Sequence, residues 1–306
     1  MSQLTRRSIL SSAVPLAVAA LSSSAPASAA AKKPFRLGIL ITPDQNPERE
    51  VKKVRDLGLT TCFVSTNRYD AQYGAQIKQL LERYQVEPTA VETLGPGEMV
   101  WDFMRGPATI GLVPRNTRQA RIDALKRGSD LGKQIGAPFL QTHCGFIPED
   151  PHDALYPELV AAVKEVALHC KGNGQTFLFE TGQETPTTLM RAIEDVGLDN
   201  VGVGLDTANV ILYGKANPVD AAEIFGKRIK AVHAKDGMWP TDPRKLGEEV
   251  AIGHGKVDFK RVFQVMHSNG YTGAITIERE ISGPKQIEDV KRGIEHLNRA
   301  IATLGV

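Results

Sequence analysis

Four residues with metal-ligating or proton-transfer chemistry stand at the ends of short apolar runs. They are Glu180 in FLFETG, Asp206 in GLDTAN, His233 in AVHAKD and Glu278 in ITIERE. Successive separations are 26, 27 and 45 residues. The first two match one strand–helix unit each, and the third matches one unit plus a long loop. Three carboxylates and one imidazole, without a thiolate, suit one divalent cation: manganese first, then magnesium, cobalt or zinc. Taken singly, a strand-end acid is an ordinary helix cap or rim charge. Four in register on consecutive strands point to one rim and one metal site.

Other candidates surround this set. His143 closes the run LQTH and is placed to hydrogen-bond a substrate. Cys144 beside it has no base at a recognisable spacing and reads as packing. Lys235 follows His233 by two positions and suits either a substrate oxygen or a rim carboxylate. His254 falls in a long loop and is a candidate for the mouth of the site. His169, His267 and His296 lie in helical patterns, and Cys170 sits on an apolar helix face; all four read as packing or surface residues.

Converging these side chains requires a scaffold that brings many strand ends together. Eight strand candidates alternate with helical patterns: 35–41, 60–65, 88–94, 138–143, 176–180, 201–206, 229–234 and 273–278. Leu159, Val163, Val166 and Cys170 form one helical apolar face, and Ile287, Val290, Ile294, Leu297 and Ile301 another. Eight such units match a single (β/α)8 TIM barrel, which needs about 250 residues. An open doubly wound sheet is the alternative. No GxGxxG follows the first run, so its dinucleotide-binding form has no support. Glycines end the helices at Gly58, Gly136, Gly174 and Gly270. Two strand-to-helix loops are long, from Gly95 to about Pro114 and from Asp236 to about Lys256, and both open on the face where such barrels carry their sites.

Composition narrows the class. With 42% hydrophobic and 24% charged residues, the chain is globular, not disordered. Aromatics at 6% argue against a stacking platform for nucleic acid. Three cysteines without CxxC spacing exclude a disulfide scaffold and a cysteine-rich zinc site. Residues 1–29 carry Arg6-Arg7, a mildly apolar run and Ala27-Ser28-Ala29, the order of an export signal with an A-x-A cut. The run is too short for a stable membrane span. The segment resembles a twin-arginine signal, which implies the twin-arginine export machinery as a partner and a periplasmic location. Residues 30–306 are then the barrel. Removing Arg6 and Arg7 leaves 35 basic and 35 acidic residues, an even balance that speaks against a polyanion partner.

The motifs together resemble the xylose isomerase-like barrel of sugar phosphate isomerases and epimerases. The resemblance runs from about Phe35 to the C-terminus. It rests on TLGPGEMVWDF, RGPATIGLVP, LQTHCGFIPED, FLFETG, GLDTANVILYG, VHAKDGMWPTDPRKLGEE, IGHGKVDF and GYTGAITIEREISG. It implies that Glu180, Asp206, His233 and Glu278 hold one divalent metal, and that Glu180 and Glu278 are the acid/base pair on opposite faces of the reacting carbon. Substrate contacts are expected from His143, Asn209, Lys235 and His254. Ketose epimerases of the family often carry histidine where this chain has Asn209, and arginine where it has Trp239. No cluster of arginine and lysine marks a phosphate pocket.

The expected reaction is proton abstraction beside a carbonyl, through a metal-stabilised enediolate of a small carbohydrate. Proton return gives epimerisation or isomerisation; a β leaving group gives a lyase acting on keto-sugars or keto-glycosides. A non-catalytic sugar-binding protein and an endonuclease for abasic DNA are the readings from other classes. Homo-oligomer formation is left open by the sequence.

Overall fold

Phe35 is buried against Phe263 and Tyr271, with ring centroids 5.5 and 5.7 Å away, where the first strand enters the protein. The computed structural model describes residues 34–305, so the segment read as an export signal lies outside them. Seven strands follow in order: β1 (Arg36–Ile41), β2 (Thr61–Ser65), β3 (Glu87–Glu92), β4 (Phe139–His143), β5 (Thr176–Glu180), β6 (Val201–Asp206) and β7 (Ile229–Ala234). A two-stranded hairpin, β8 (Asp236–Gly237) and β9 (Glu249–Val250), interrupts the next loop, and β10 (Ala274–Ile277) completes the set. β1 to β7 and β10 close into one parallel barrel, with β10 pairing both β7 and β1. This is the expected (β/α)8 barrel. Strand limits fall within two residues of the sequence reading, and Glu278 lies one residue past β10.

Helices wrap the outside: α1 (Pro47–Asp56), α2 (Ala71–Tyr84), the short α3 (Gly106–Thr109), α4 (Arg115–Ile135), α5 (Leu155–Gly172), α6 (Pro186–Val196), the short α7 (Asn209–Leu212), α8 (Pro218–Phe225), α9 (Phe259–Ser268) and α10 (Pro284–Ala302). Local chemistry starts and stops them. The side chains of Asn46, Asp70, Thr185, Asn217 and Asp258 each accept an amide of the first turn. Gly58, Gly136, Gly174 and Gly270 take φ values between 74° and 85°, the left-handed turn that a β-carbon disfavours.

The larger core lies between strands and helices and includes Cys62, Leu159, Cys170 and Leu297, each fully buried. A smaller one, Phe63, Ala90, Leu178 and Ala231, plugs the barrel interior. Phe63 is the floor of the site, its ring centroid 4.5 Å from that of His233. Burying such a phenyl ring contributes about 1.5–3 kcal/mol, so the floor is a stable platform. Gly204 is needed beside it, because a β-carbon there would fall 1.8 Å from Gln141 Oε1. Among the described residues no helix is long and apolar enough to cross a membrane.

Candidate active site

Parallel pairing sets the relative heights of the strand-end side chains. Asp206 is in register with His233, and Glu180 with both His143 and Gly204. Glu278 follows Ile277, the residue paired with Ala234, so it lies just above His233. Ligand atoms of Glu180, Asp206, His233 and Glu278 all lie within 4.8 Å of one another. His233 Nδ1 faces two of them, at 3.0 Å from Glu180 Oε1 and 3.0 Å from Glu278 Oε2.

Each carboxylate is anchored or oriented by something else. Asp206 Oδ1 accepts the amides of Ala208 at 2.8 Å and Asn209 at 2.7 Å, where the chain turns into α7. Its Oδ2 is buried without a hydrogen-bond partner. Glu180 Oε2 is also without an aligned donor, although His143 Nε2 is 3.3 Å away. Glu278 Oε2 is in the same condition. Buried carboxylate oxygens without partners are costly, typically 1–3 kcal/mol or more each. Oxygens that converge with an imidazole nitrogen fit a divalent cation, which would satisfy them together.

The electrostatics agree with a site shaped for positive charge. Burial works against the Glu180 carboxylate, yet His143 and His233 hold it well below the ordinary range. Burial likewise opposes Glu278, and Lys235 and His233 pull it down to about 2. Asp206 goes the other way: burial, reinforced by the charges of Glu278 and Glu180, raises it well above the ordinary carboxylate value. His233 is raised because Glu180 and Glu278 outweigh its burial. The cluster therefore favours added positive charge over a third bare carboxylate.

Lys235 is 1% exposed. Its Nζ donates to Asn209 Oδ1 at 3.1 Å and to Glu280, and lies 3.8 Å from both Asp206 Oδ2 and Glu278 Oε1. Of the two roles left open for it, the pairing with a rim carboxylate is present, with Glu280 as partner. Asn209 lines the cavity beside Lys235, and His143 lines it next to Glu180. His254 is not brought there. It is exposed and does not line the cavity.

Several residues of the site were not singled out in the sequence. Glu92 closes β3 and forms a second potential ligand group with His143 and Glu180. Burial, and then the nearby Glu180 charge, raise it well above the ordinary carboxylate range. Trp101 packs edge-on to His143 with ring centroids 4.9 Å apart. Tyr213 is buried and its hydroxyl has no hydrogen-bond partner. All three line the cavity. Glu92 lies inside the run that reads on to Leu94, so the sequence did not mark it as a strand end.

Two buried charges fix the loops that form the walls. Arg121 on α4 donates to the carbonyls of Pro96 at 3.1 Å, Glu98 at 3.1 Å and Gly111 at 2.7 Å, and so ties down the loop that carries Trp101. Asp236 accepts four amides, from Gly237, Gly253, Gly255 and Val257, at 2.9–3.1 Å, and so ties down the loop after β7. All three cysteines are free and buried, Cys144 and Cys170 among them as expected.

Comparison with known proteins agrees with this architecture. The chain superimposes on a xylose isomerase domain protein of Planctomyces limnophilus with a TM-score of 0.82 at 30% identity, over 87% of this chain and 97% of that one. An L-ribulose 3-epimerase structure aligns with a TM-score of 0.68 at 18% identity, over 88% of this chain and 95% of that one, which shows the shared fold. Among curated sequences, a Methanocaldococcus jannaschii protein is 22% identical over 198 residues, 60% of this chain and 66% of that one. An inosose dehydratase of Clostridium tetani is 29% identical over 112 residues, 33% of this chain and 37% of that one. The chain thus spans two thirds or less of these curated relatives. The model of the xylose isomerase-like TIM barrel matches residues 51–300, and the chain belongs to that family.

Proposed function

We propose that the protein is a divalent-metal-dependent carbohydrate isomerase or epimerase that moves a proton beside a carbonyl. The observation that carries this is the placement of Glu180 and Glu278 on two sides of His233 Nδ1, each 3.0 Å from it, in one cluster with Asp206. Glu180, Asp206, His233 and Glu278 would hold the cation. When bound, it supplies Lewis-acid polarisation of the substrate carbonyl and its neighbouring hydroxyl, which acidifies the proton between them. Manganese or magnesium suits this oxygen-rich set.

The protein's own residues supply the rest. One glutamate removes the proton and the other returns it, from opposite faces for epimerisation. Held at about 2, Glu278 is a weak base, so it acts only on a strongly acidified carbon acid. Asn209, on the cavity wall, would donate to a substrate oxygen with Lys235 holding its Oδ1 from behind, and His143 would orient the ring above Glu180. A second reading is β-elimination, favoured by the partial likeness to inosose dehydratase. Both reactions share the first proton transfer. Export before action completes the proposal.

Proton NMR of the metal-loaded protein with candidate sugars in D2O tests it. Solvent deuterium is expected at the α-carbon during turnover. Glu180→Gln and Glu278→Gln should each lower turnover by roughly 10²–10⁴. Asp206→Ala should lose bound metal by elemental analysis. Turnover without deuterium uptake would point to hydride shift and leave the glutamates as ligands alone.

A further inference from the structure

The cavity above the cluster is much larger than one sugar ring requires. Its volume is about 1480 Å³. Sites that enclose a drug-sized ligand run roughly 300–1,000 Å³. Its lining residues fall into two groups, those beside the four-residue cluster and those toward α1 and α10. The inner group includes Glu92, Trp101, Tyr213 and Glu278. The outer group is Ser282 and Gly283 ahead of α10, Gln45 ahead of α1, Arg49 on α1 and Lys291 on α10.

The inner section offers what a sugar ring needs. Trp101 is 41% exposed, an apolar face beside polar groups. The Tyr213 hydroxyl is buried, unpartnered and on the cavity wall. The outer section mixes apolar side chains, Leu57, Ile287 and Val290 among them, with charged ones, of which Arg49, Lys52, Lys53 and Arg279 are paired in place. Arg49 and Lys53 both pair with Glu50, at 3.3 and 2.5 Å, and Lys52 pairs with Asp56 at 2.6 Å. Arg279 pairs with Glu249 at 2.8 Å and Asp289 at 3.1 Å. An anionic extension such as a nucleotide or phosphate would compete with these carboxylates. A neutral, hydroxyl-rich one would not.

We propose that the substrate is a glycoside of two or more linked sugar units, with the reacting unit at the four-residue cluster and the next unit in the outer section toward α1 and α10. This rests on the functional reading only in taking the ligand to be a carbohydrate. Trp101 is the stacking wall for the reacting unit, and the Ser282–Gly283 turn is the sill over which the linkage passes.

Calorimetric binding to the manganese-loaded full chain tests it, with cellobiose, maltose and lactose set against glucose and galactose. At least one disaccharide should bind ten times more tightly, or better, than its own monosaccharides. Ser282→Trp, which narrows the sill, should bring that ratio towards one; Gln45→Trp does the same from the opposite wall. Disaccharides that bind no better than monosaccharides, or do not bind at all, would overturn the inference, as would a ratio that survives both tryptophan variants. A disaccharide preference without α-carbon deuterium exchange in D2O would uphold the inference and reject the proton-transfer reaction instead.

Discussion

Glu184, four residues beyond Glu180, is a buried acid whose pKa is pushed up to about 8, chiefly by burial. Its unfolded value is near 4.5, so between these two pH values the folded protein keeps a proton that the unfolded chain releases. The stabilisation is complete below the lower value and is lost as pH rises through the upper one, at up to about 1.4 kcal/mol per pH unit. Glu184→Gln keeps the shape and removes the titration. Thermal melts should therefore show the variant gaining on the wild type steadily from pH 5 to pH 8; a constant gap would contradict the assignment. At the same scale, the convergence of Glu180, Asp206, His233 and Glu278 could be read from the chain because each ends a barrel strand and follows the last by one unit, with a long loop added before Glu278. Glu92 was hidden because its run reads on to Leu94, two residues past the point where β3 ends. Trp101 and Tyr213 were hidden because loop positions carry no periodicity that points inward.

The elements explain both why the fold was legible and why the place of His254 was not. Alternating apolar runs and helix caps are local, so eight strands and the fold class follow from the sequence alone. Loop paths are not local. The course of the loop after β7 is set by four amides on the Asp236 carboxylate, and that clamp carries His254 out toward α10. The matching clamp on the other wall is Arg121, a guanidinium 1% exposed that is held by backbone carbonyls. Hydrogen bonds to a charged group are worth about 1.5–3 kcal/mol each, and only part of that is lost when the charge goes too. Arg121→Met should thus cost on the order of 3 kcal/mol of stability. Amide hydrogen exchange should rise across residues 95–113 and leave residues 238–257 unchanged. Substrate KM should rise more than kcat falls, since Trp101 and not the four-residue cluster is released. Unaltered exchange in 95–113 would show that the loop is held by its other contacts.

At the scale of the whole molecule, the barrel begins where the proposed export signal has already ended. Among the described residues Phe35 is the first large side chain in the core, buried against Phe263 and Tyr271, and β1 starts at the next residue. Cutting after Ala29 leaves five residues, Ala30 to Pro34, ahead of that anchor. A chain starting at Ala30 therefore keeps every barrel strand and every candidate ligand. Its thermal midpoint and metal content should equal those of the full-length chain. A folded barrel with a buried group of candidate metal ligands also suits the proposed twin-arginine route, which exports proteins already folded. Replacing both arginines by lysine should then leave folded, metal-binding protein in the cytoplasm. Intact mass and N-terminal sequencing of the periplasmic fraction provide the measurement. Ala30 as the first residue of the wild-type protein, with the lysine variant absent from that fraction, is the expected result. Wild-type protein that keeps Met1 and stays in the cytoplasm would place the reaction inside the cell and remove the signal from the argument.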